Sequence, residues 1–178
     1  MRKSATILFL AALFGLWLFP DIIGIGSGSR AQSADSDAIV VRDGDTMTIG
    51  GQDFRLHGID APEYGQSCKT VAGVDWTCGK QARTTLAAMI AGRRLTCVER
   101  ARDKYGRIVA TCTDDQGTDI ARGMIERGMA ISMDGFVEGP YAAEEARARA
   151  ARRGIWQGPF DPPSSWRASH PRAAVANR

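Results

Sequence analysis

Residues 38–59, AIVVRDGDTMTIGGQDFRLHGI, carry the pattern of a small β-meander. Ile39-Val40-Val41, Thr46 to Ile49 and Phe54 to Ile59 have the β-branched, alternating character of strands. Asp43-Gly44-Asp45 and Gly50-Gly51 are tight glycine turns between them. Three antiparallel strands in 22 residues therefore open the domain. Downstream, residues 60–79 read as a loop with Pro62 and Gly65, and Lys80 to Ala91 as a helix with Leu86, Met89 and Ile90 on one face. Strands follow at about 93–102 and 107–113. A second helix starts at Asp119, capped by Thr118 or Asp119 and ended by Gly128, and Pro140 opens an Ala- and Arg-rich third helix that stops near Gly154. Three strands, a helix, a hairpin and two helices predict an α+β, mainly β fold: a five-stranded OB barrel with about three packed helices. The tail 158–178, with Pro162-Pro163 and Pro171, reads as extended.

At 178 residues, 44% hydrophobic and 24% charged with no repeat, the chain is too short for a multidomain machine and too mixed for a disordered, collagenous or coiled-coil protein. The N-terminus carries Arg2 and Lys3, then a 15-residue apolar run from Ala5 to Phe19, then Pro20 and a small, polar stretch. This is the pattern of a secretory signal, shorter than the roughly 20 residues of a spanning helix. Ser29 and Ala31 make a small-x-small site, so residues 1–31 are expected to be removed and the mature chain to begin at Gln32 in the periplasm or outside the cell. The alternative is an uncleaved membrane anchor extended by Ile22, Ile23 and Ile25. Without residues 1–31 the chain has 20 basic and 19 acidic residues, a net charge of +1. Basic character is local: from Tyr141 onward there are 7 Arg against 3 acidic residues.

Four cysteines in an exported chain favour two disulfides. Cys97 and Cys112 are symmetric about the turn Asp103-Lys104-Tyr105-Gly106 and face each other across the hairpin, which leaves Cys68 and Cys78 to close a small loop. Zinc is the alternative, but there is no CxxC pair and only two histidines, His57 and His170.

Three segments place charge in loops: Asp43-Gly44-Asp45-Thr46, Arg55 to Glu63, and Asp103-Lys104-Tyr105-Gly106-Arg107. Each alone reads as an ordinary turn. Together, Asp45, Asp60 and Glu63 are three carboxylates whose repulsion, if they converge, needs a cation, and hard oxygen donors favour one Ca²⁺ ion, with Mg²⁺ as second choice. Arg55 and Arg107 are forked, permanent cations suited to phosphate. That is equipment for phosphodiester hydrolysis.

At these motifs, and at a final Gly-Ile-Trp, residues 38–157 resemble the staphylococcal nuclease-like (thermonuclease) family. The resemblance implies an OB-fold and a calcium-dependent endonuclease that cleaves DNA and RNA and leaves 3′-phosphate ends. It implies that Asp45, Asp60 and the Ala61 carbonyl bind calcium. Arg55 and Arg107 would stabilise the transition state, Glu63 would act as general base or orient water, and Tyr105 would lie beside the nucleotide phosphate. The sequence departs from the family pattern at Ala61, where a threonine is usual. A Cys68 to Cys78 segment also replaces a lysine-rich loop, and Ala130 to Gly139 lacks a base-stacking tyrosine pair for which Phe136 or Tyr141 is the available substitute. His57 reads as structural, Ile155 and Trp156 as core anchors, and Arg147, Arg149, Arg152 and Arg153 as a solvated face. The chain is expected to be a monomer with nucleic acid as its partner. The competing reading is a non-catalytic OB module that binds nucleic acid or protein in the cell envelope.

Overall fold

The computed structural model describes residues 30–133 and 139–171. The apolar run from Ala5 to Phe19 and Phe136 lie outside the described residues, among which no helix is long and apolar enough to cross a membrane.

The strands of the opening stretch form as expected. β2 (Ile39–Val41), β3 (Thr46–Ile49) and β4 (Gln52–Leu56) are an antiparallel meander, with Ile39 opposite Ile49 and Met47 opposite Phe54. The hairpin β8 (Arg94–Arg102) and β9 (Ile108–Asp114) joins it through a parallel pairing of β9 with β4. A sixth strand, β1 (Ala31–Asp35), pairs antiparallel with β8, giving the order β1-β8-β9-β4-β3-β2. The expected cleavage point between Ala31 and Gln32 falls at the first residue of β1.

The segment expected as one strand from Phe54 to Ile59 is two. After Leu56 the chain turns at Gly58, whose φ of 79° is open to glycine at no steric cost, and β5 (Ile59–Asp60) pairs with β10 (Ile131–Ser132) instead. This turn swings Asp60 off the main sheet.

Helix α1 (Cys78–Ile90) buries Ala82, Leu86 and Ile90, spaced four residues apart, in the core it shares with the sheet. α2 (Ile120–Glu126) is capped by Asp119, whose side chain accepts the Arg122 N–H at 3.2 Å, and buries Ile120, Met124 and Ile125. α3 (Ala142–Ala150) is shorter than the sequence suggests and is followed by a 3-10 turn at Gly154–Gln157 that buries Ile155. Phe54, Met47, Leu56, Leu86, Leu95 and Met124 form the centre of the core, fully shielded from water. The Cys97–Cys112 disulfide links directly opposed residues of β8 and β9 inside it, with Cα atoms 4.0 Å apart.

The loop 60–79 carries a small ribbon, β6 (Cys68–Lys69) against β7 (Asp75–Trp76), tied by the Cys68–Cys78 disulfide. The tail is not extended throughout. Pro163 stands at the first position of a fourth helix, α4 (Pro163–Ser169), where proline's fixed φ and missing N–H are tolerated. This segment is docked: Lys69 N–H donates to the Pro159 carbonyl at 3.0 Å, Gln66 Nε2 donates to the Asp161 carbonyl at 2.7 Å, and Phe160 packs edge-on against Trp156.

Candidate active site

Asp45 ends the Asp43–Thr46 turn with its side chain 3% exposed. Its Oδ1 accepts from Arg55 Nη1 at 2.8 Å and from the Thr46 hydroxyl at 2.9 Å, and its Oδ2 from the Ala61 N–H at 3.0 Å. Arg55, on β4, extends its other arm to Asp60 Oδ1 at 2.7 Å. One guanidinium thus bridges two buried carboxylates, one from the turn before β3 and one from β5. Burial drives the Asp45 pKa up to about 7, against the pull of Arg55 and the Ala61 N–H, with Asp43 and Asp60 adding to the rise. Burial also works against the Arg55 cation, but Asp45 and then Asp60 outweigh it and hold its pKa above the ordinary guanidinium value. Truncating Arg55 would leave the buried Asp45 carboxylate without its cation, a loss of about 3–5 kcal/mol. Arg55 is therefore a structural cation as well as a site residue.

Glu63 follows Asp60 by three residues and begins a turn closed by Gln66 N–H to the Glu63 carbonyl at 2.7 Å. Gln66 is fully buried, and its Oε1 accepts the Glu63 N–H at 3.2 Å. The N-terminus of α1 abuts the same turn, with Gly79 N–H donating to the Gln66 carbonyl at 3.2 Å. A Cβ on Gly79 would lie 1.7 Å from the Glu63 carbonyl oxygen, so only glycine allows this approach. The Cys68–Cys78 disulfide closes the loop between turn and helix.

Arg107 and Tyr105 come from the β8–β9 hairpin tip. Asp103 organises that tip by accepting from the Tyr105 N–H at 2.9 Å, the Arg107 N–H at 3.1 Å and Arg107 Nε at 2.7 Å. The Arg107 guanidinium lies 5.6 Å from the Tyr105 ring centre, and Tyr105 is 73% exposed. Arg55, Glu63, Tyr105 and Arg107 line one open cleft of about 930 Å³. Asp45 and Asp60 sit behind Arg55 at its wall, and Ala61 is buried with them and engages Asp45 through its N–H. His57, expected as structural, also borders the cleft.

Tyr141 is not a base-stacking substitute. It is buried, its hydroxyl donates to Asp119 Oδ2 at 2.9 Å, and burial followed by that hydrogen bond raises its pKa. The arginines of α3 and its end are not simply solvated. Arg149 pairs with Glu145 and stacks over Trp156 at 4.1 Å, Arg147 pairs with Glu144, and Arg153 donates to the Glu126 carbonyl.

Sequence reasoning missed Arg167. From α4 its Nη1 donates to Asp60 Oδ1 at 2.9 Å and to Glu63 Oε1 at 3.0 Å, and its Nη2 to Asp60 Oδ2 at 3.0 Å. The Asp60 hydrogen bond, ahead of the opposing effect of burial and the added contribution of Glu63, raises its pKa further. The available signal was Pro162-Pro163-Ser164-Ser165, a helix start directly before Trp166 and Arg167.

The three carboxylates do converge, but in pairs, each pair on an arginine: Asp45 with Asp60 on Arg55, Asp60 with Glu63 on Arg167. Among the described residues no three acidic, histidine or cysteine groups form a closed metal cage. The donor set nevertheless fits a hard cation. Two buried carboxylates, both oxygen donors, meet on one positive group. Water and substrate oxygens would have to complete such a shell.

A family model described as "Staphylococcal nuclease homologue" matches residues 53–158. The chain is 40% identical over 118 residues to "Succinoglycan biosynthesis protein ExoI" of Rhizobium meliloti, covering 66% of this chain and 62% of that one. It is 32% identical over 126 residues to "Probable endonuclease LCL3" of Verticillium alfalfae, covering 64% and 40%. It is 29% identical over 140 residues to "Uncharacterized endonuclease" of Escherichia coli, covering 75% and 84%. The aligned part therefore spans less than two thirds of the Rhizobium and Verticillium proteins. The matched range covers more than half of the chain and holds Arg55, Asp60, Glu63 and Arg107, and the chain belongs to the staphylococcal nuclease homologue family.

Proposed function

We propose that the chain is an exported, metal-dependent endonuclease that hydrolyses DNA and RNA and leaves 3′-phosphate ends. The observation that carries this reading is the buried Asp45–Arg55–Asp60 network set in the wall of a cleft that Glu63, Arg107 and Tyr105 also line. Family membership and relatives named as endonucleases support it. Two disulfides and the apolar N-terminal pattern support export.

Asp45 and Asp60, with the Ala61 backbone, would hold one Ca²⁺ ion, or Mg²⁺ as second choice. Bound there, such a cation would supply positive charge against a phosphate oxygen. Arg107 turns from Asp103 toward the phosphate, and Arg55 supports the same charge from the wall, so that the two forks stabilise the five-coordinate transition state. Glu63 accepts a proton from water, the water oxygen bonds to phosphorus, the P–O5′ bond breaks with its electron pair going to O5′, and O5′ takes a proton from solvent. The products are a 3′-phosphate and a 5′-hydroxyl. Tyr105, exposed at the hairpin tip, packs along the entering strand.

The test is digestion of an end-labelled single-stranded oligonucleotide with Ca²⁺, Mg²⁺ or chelator, with product ends identified by sensitivity to phosphatase. Metal-dependent products ending in 3′-phosphate are expected. Binding without cleavage under every metal would make the protein an OB binding module instead.

A further inference from the structure

The C-terminal segment is tied to the loop that carries Glu63, and it delivers one charged side chain to the site. Residues 158–161 run along the disulfide ribbon, held by Lys69 N–H to Pro159 and by Gln66 Nε2 to Asp161. α4 follows, with Trp166 stacked on His170 at 4.3 Å, and Arg167 points at Asp60 and Glu63. Its fork takes both oxygens of Asp60 and one of Glu63. These are charge-assisted contacts of the bidentate kind, at a carboxylate whose first oxygen already serves Arg55.

We infer that Arg167 is a resident cation that competes with a divalent metal ion for Asp60 and also holds Glu63, which makes the C-terminal helix an internal latch on the active site. The inference rests on the metal-dependent reading of that site. A divalent ion at Asp60 needs the oxygens that Arg167 holds, and the same fork occupies one oxygen of Glu63. The latch can swing away without unfolding the domain. Arg167 belongs to the last described helix, its side chain is 39% exposed, the main core is built by residues before 158, and the inward packing of this segment lies at Phe160 and Pro163, before Arg167.

The experiment is calorimetric Ca²⁺ titration of the full chain, of Arg167→Ala and of Asp45→Asn, with amide hydrogen exchange across residues 159–171 in chelator and in saturating Ca²⁺. Removing a charge-assisted competitor should tighten Ca²⁺ binding by about tenfold or more in Arg167→Ala. Asp45→Asn should lose binding, and Ca²⁺ should speed exchange in α4 of the wild type. Unchanged or weaker Ca²⁺ binding in Arg167→Ala overturns the latch, as does α4 exchange that ignores Ca²⁺. Arg167→Lys, which keeps the charge without the fork, should fall between wild type and Arg167→Ala, and it replaces the alanine variant if that chain fails to fold. Cleavage is scored separately. Tighter binding in Arg167→Ala without cleavage by any variant retires the nuclease and leaves the latch, whereas no Ca²⁺ binding in any variant overturns the metal site and the latch together.

Discussion

Gly79→Ala should damage catalysis far more than folding. The new Cβ would stand 1.7 Å from the Glu63 carbonyl oxygen and 2.6 Å from its carbonyl carbon, where ordinary contact needs about 3.5 Å. Both are backbone atoms, so no side-chain rotation relieves the overlap. Either the start of α1 or the Glu63–Gln66 turn must move by more than an ångström. The turn is the softer of the two, because α1 is locked into the core by Ala82, Leu86 and Ile90. A displacement of about 1 Å at a catalytic group costs about 100-fold in rate. Overpacking costs about 1–3 kcal/mol of stability, partly offset by alanine's helix propensity advantage of about 1 kcal/mol. The assay is the initial rate of single-stranded DNA cleavage beside a thermal melt, with Gly65→Ala as control, since a Cβ there meets nothing closer than Trp166 at 3.9 Å. A Gly79→Ala protein that cleaves at the wild-type rate would refute the claim that helix packing sets the position of Glu63.

The buried Asp45 should make stability depend on pH in the direction opposite to most carboxylates. Its folded pKa is raised from 3.8 to about 7, so its contribution is complete below about 3.8 and is lost as pH rises through about 7. In chelator, the melting temperature of wild type relative to Asp45→Asn should therefore fall across that window, and a flat or rising difference would contradict the burial argument. The two disulfides should separate by readout. Cys97→Ala with Cys112→Ala opens a 15-residue loop inside the core and should cost about 3 kcal/mol in chemical denaturation. Cys68→Ala with Cys78→Ala loosens the loop between Glu63 and α1 and should lower turnover more than stability. Equal effects on both readouts would show that the ribbon has no special hold on the site.

The sequence displayed the parts of this site that are local and hid those that are not. Asp45, Arg55, Asp60 and Glu63 stand at strand ends within 19 consecutive residues, and Arg107 closes a hairpin whose symmetry also identified the Cys97–Cys112 pair. Arg167 meets Asp60 across 107 residues, in a tail whose four prolines outweighed one short helix start. β1 has no apolar alternation, because it is an edge strand held by backbone pairing with β8 rather than by a buried face. Gln66 is of a type usually found at the surface, and it is fully buried here because Glu63 and Asp161 satisfy its amide. Tyr141 shows the converse: its position after Gly139 suggested a ligand contact, and only the packing of α3 on α2 reveals that its hydroxyl belongs to Asp119.

Cleavage of single-stranded DNA by the purified, oxidised chain, with Ca²⁺ or chelator and beside Glu63→Gln, tests the central claim most directly. Metal-dependent cleavage by the wild type, abolished by chelator and reduced by about 100-fold or more in Glu63→Gln, is the predicted result. A Glu63→Gln protein that turns over at the wild-type rate, or a wild type indifferent to chelator, would contradict it.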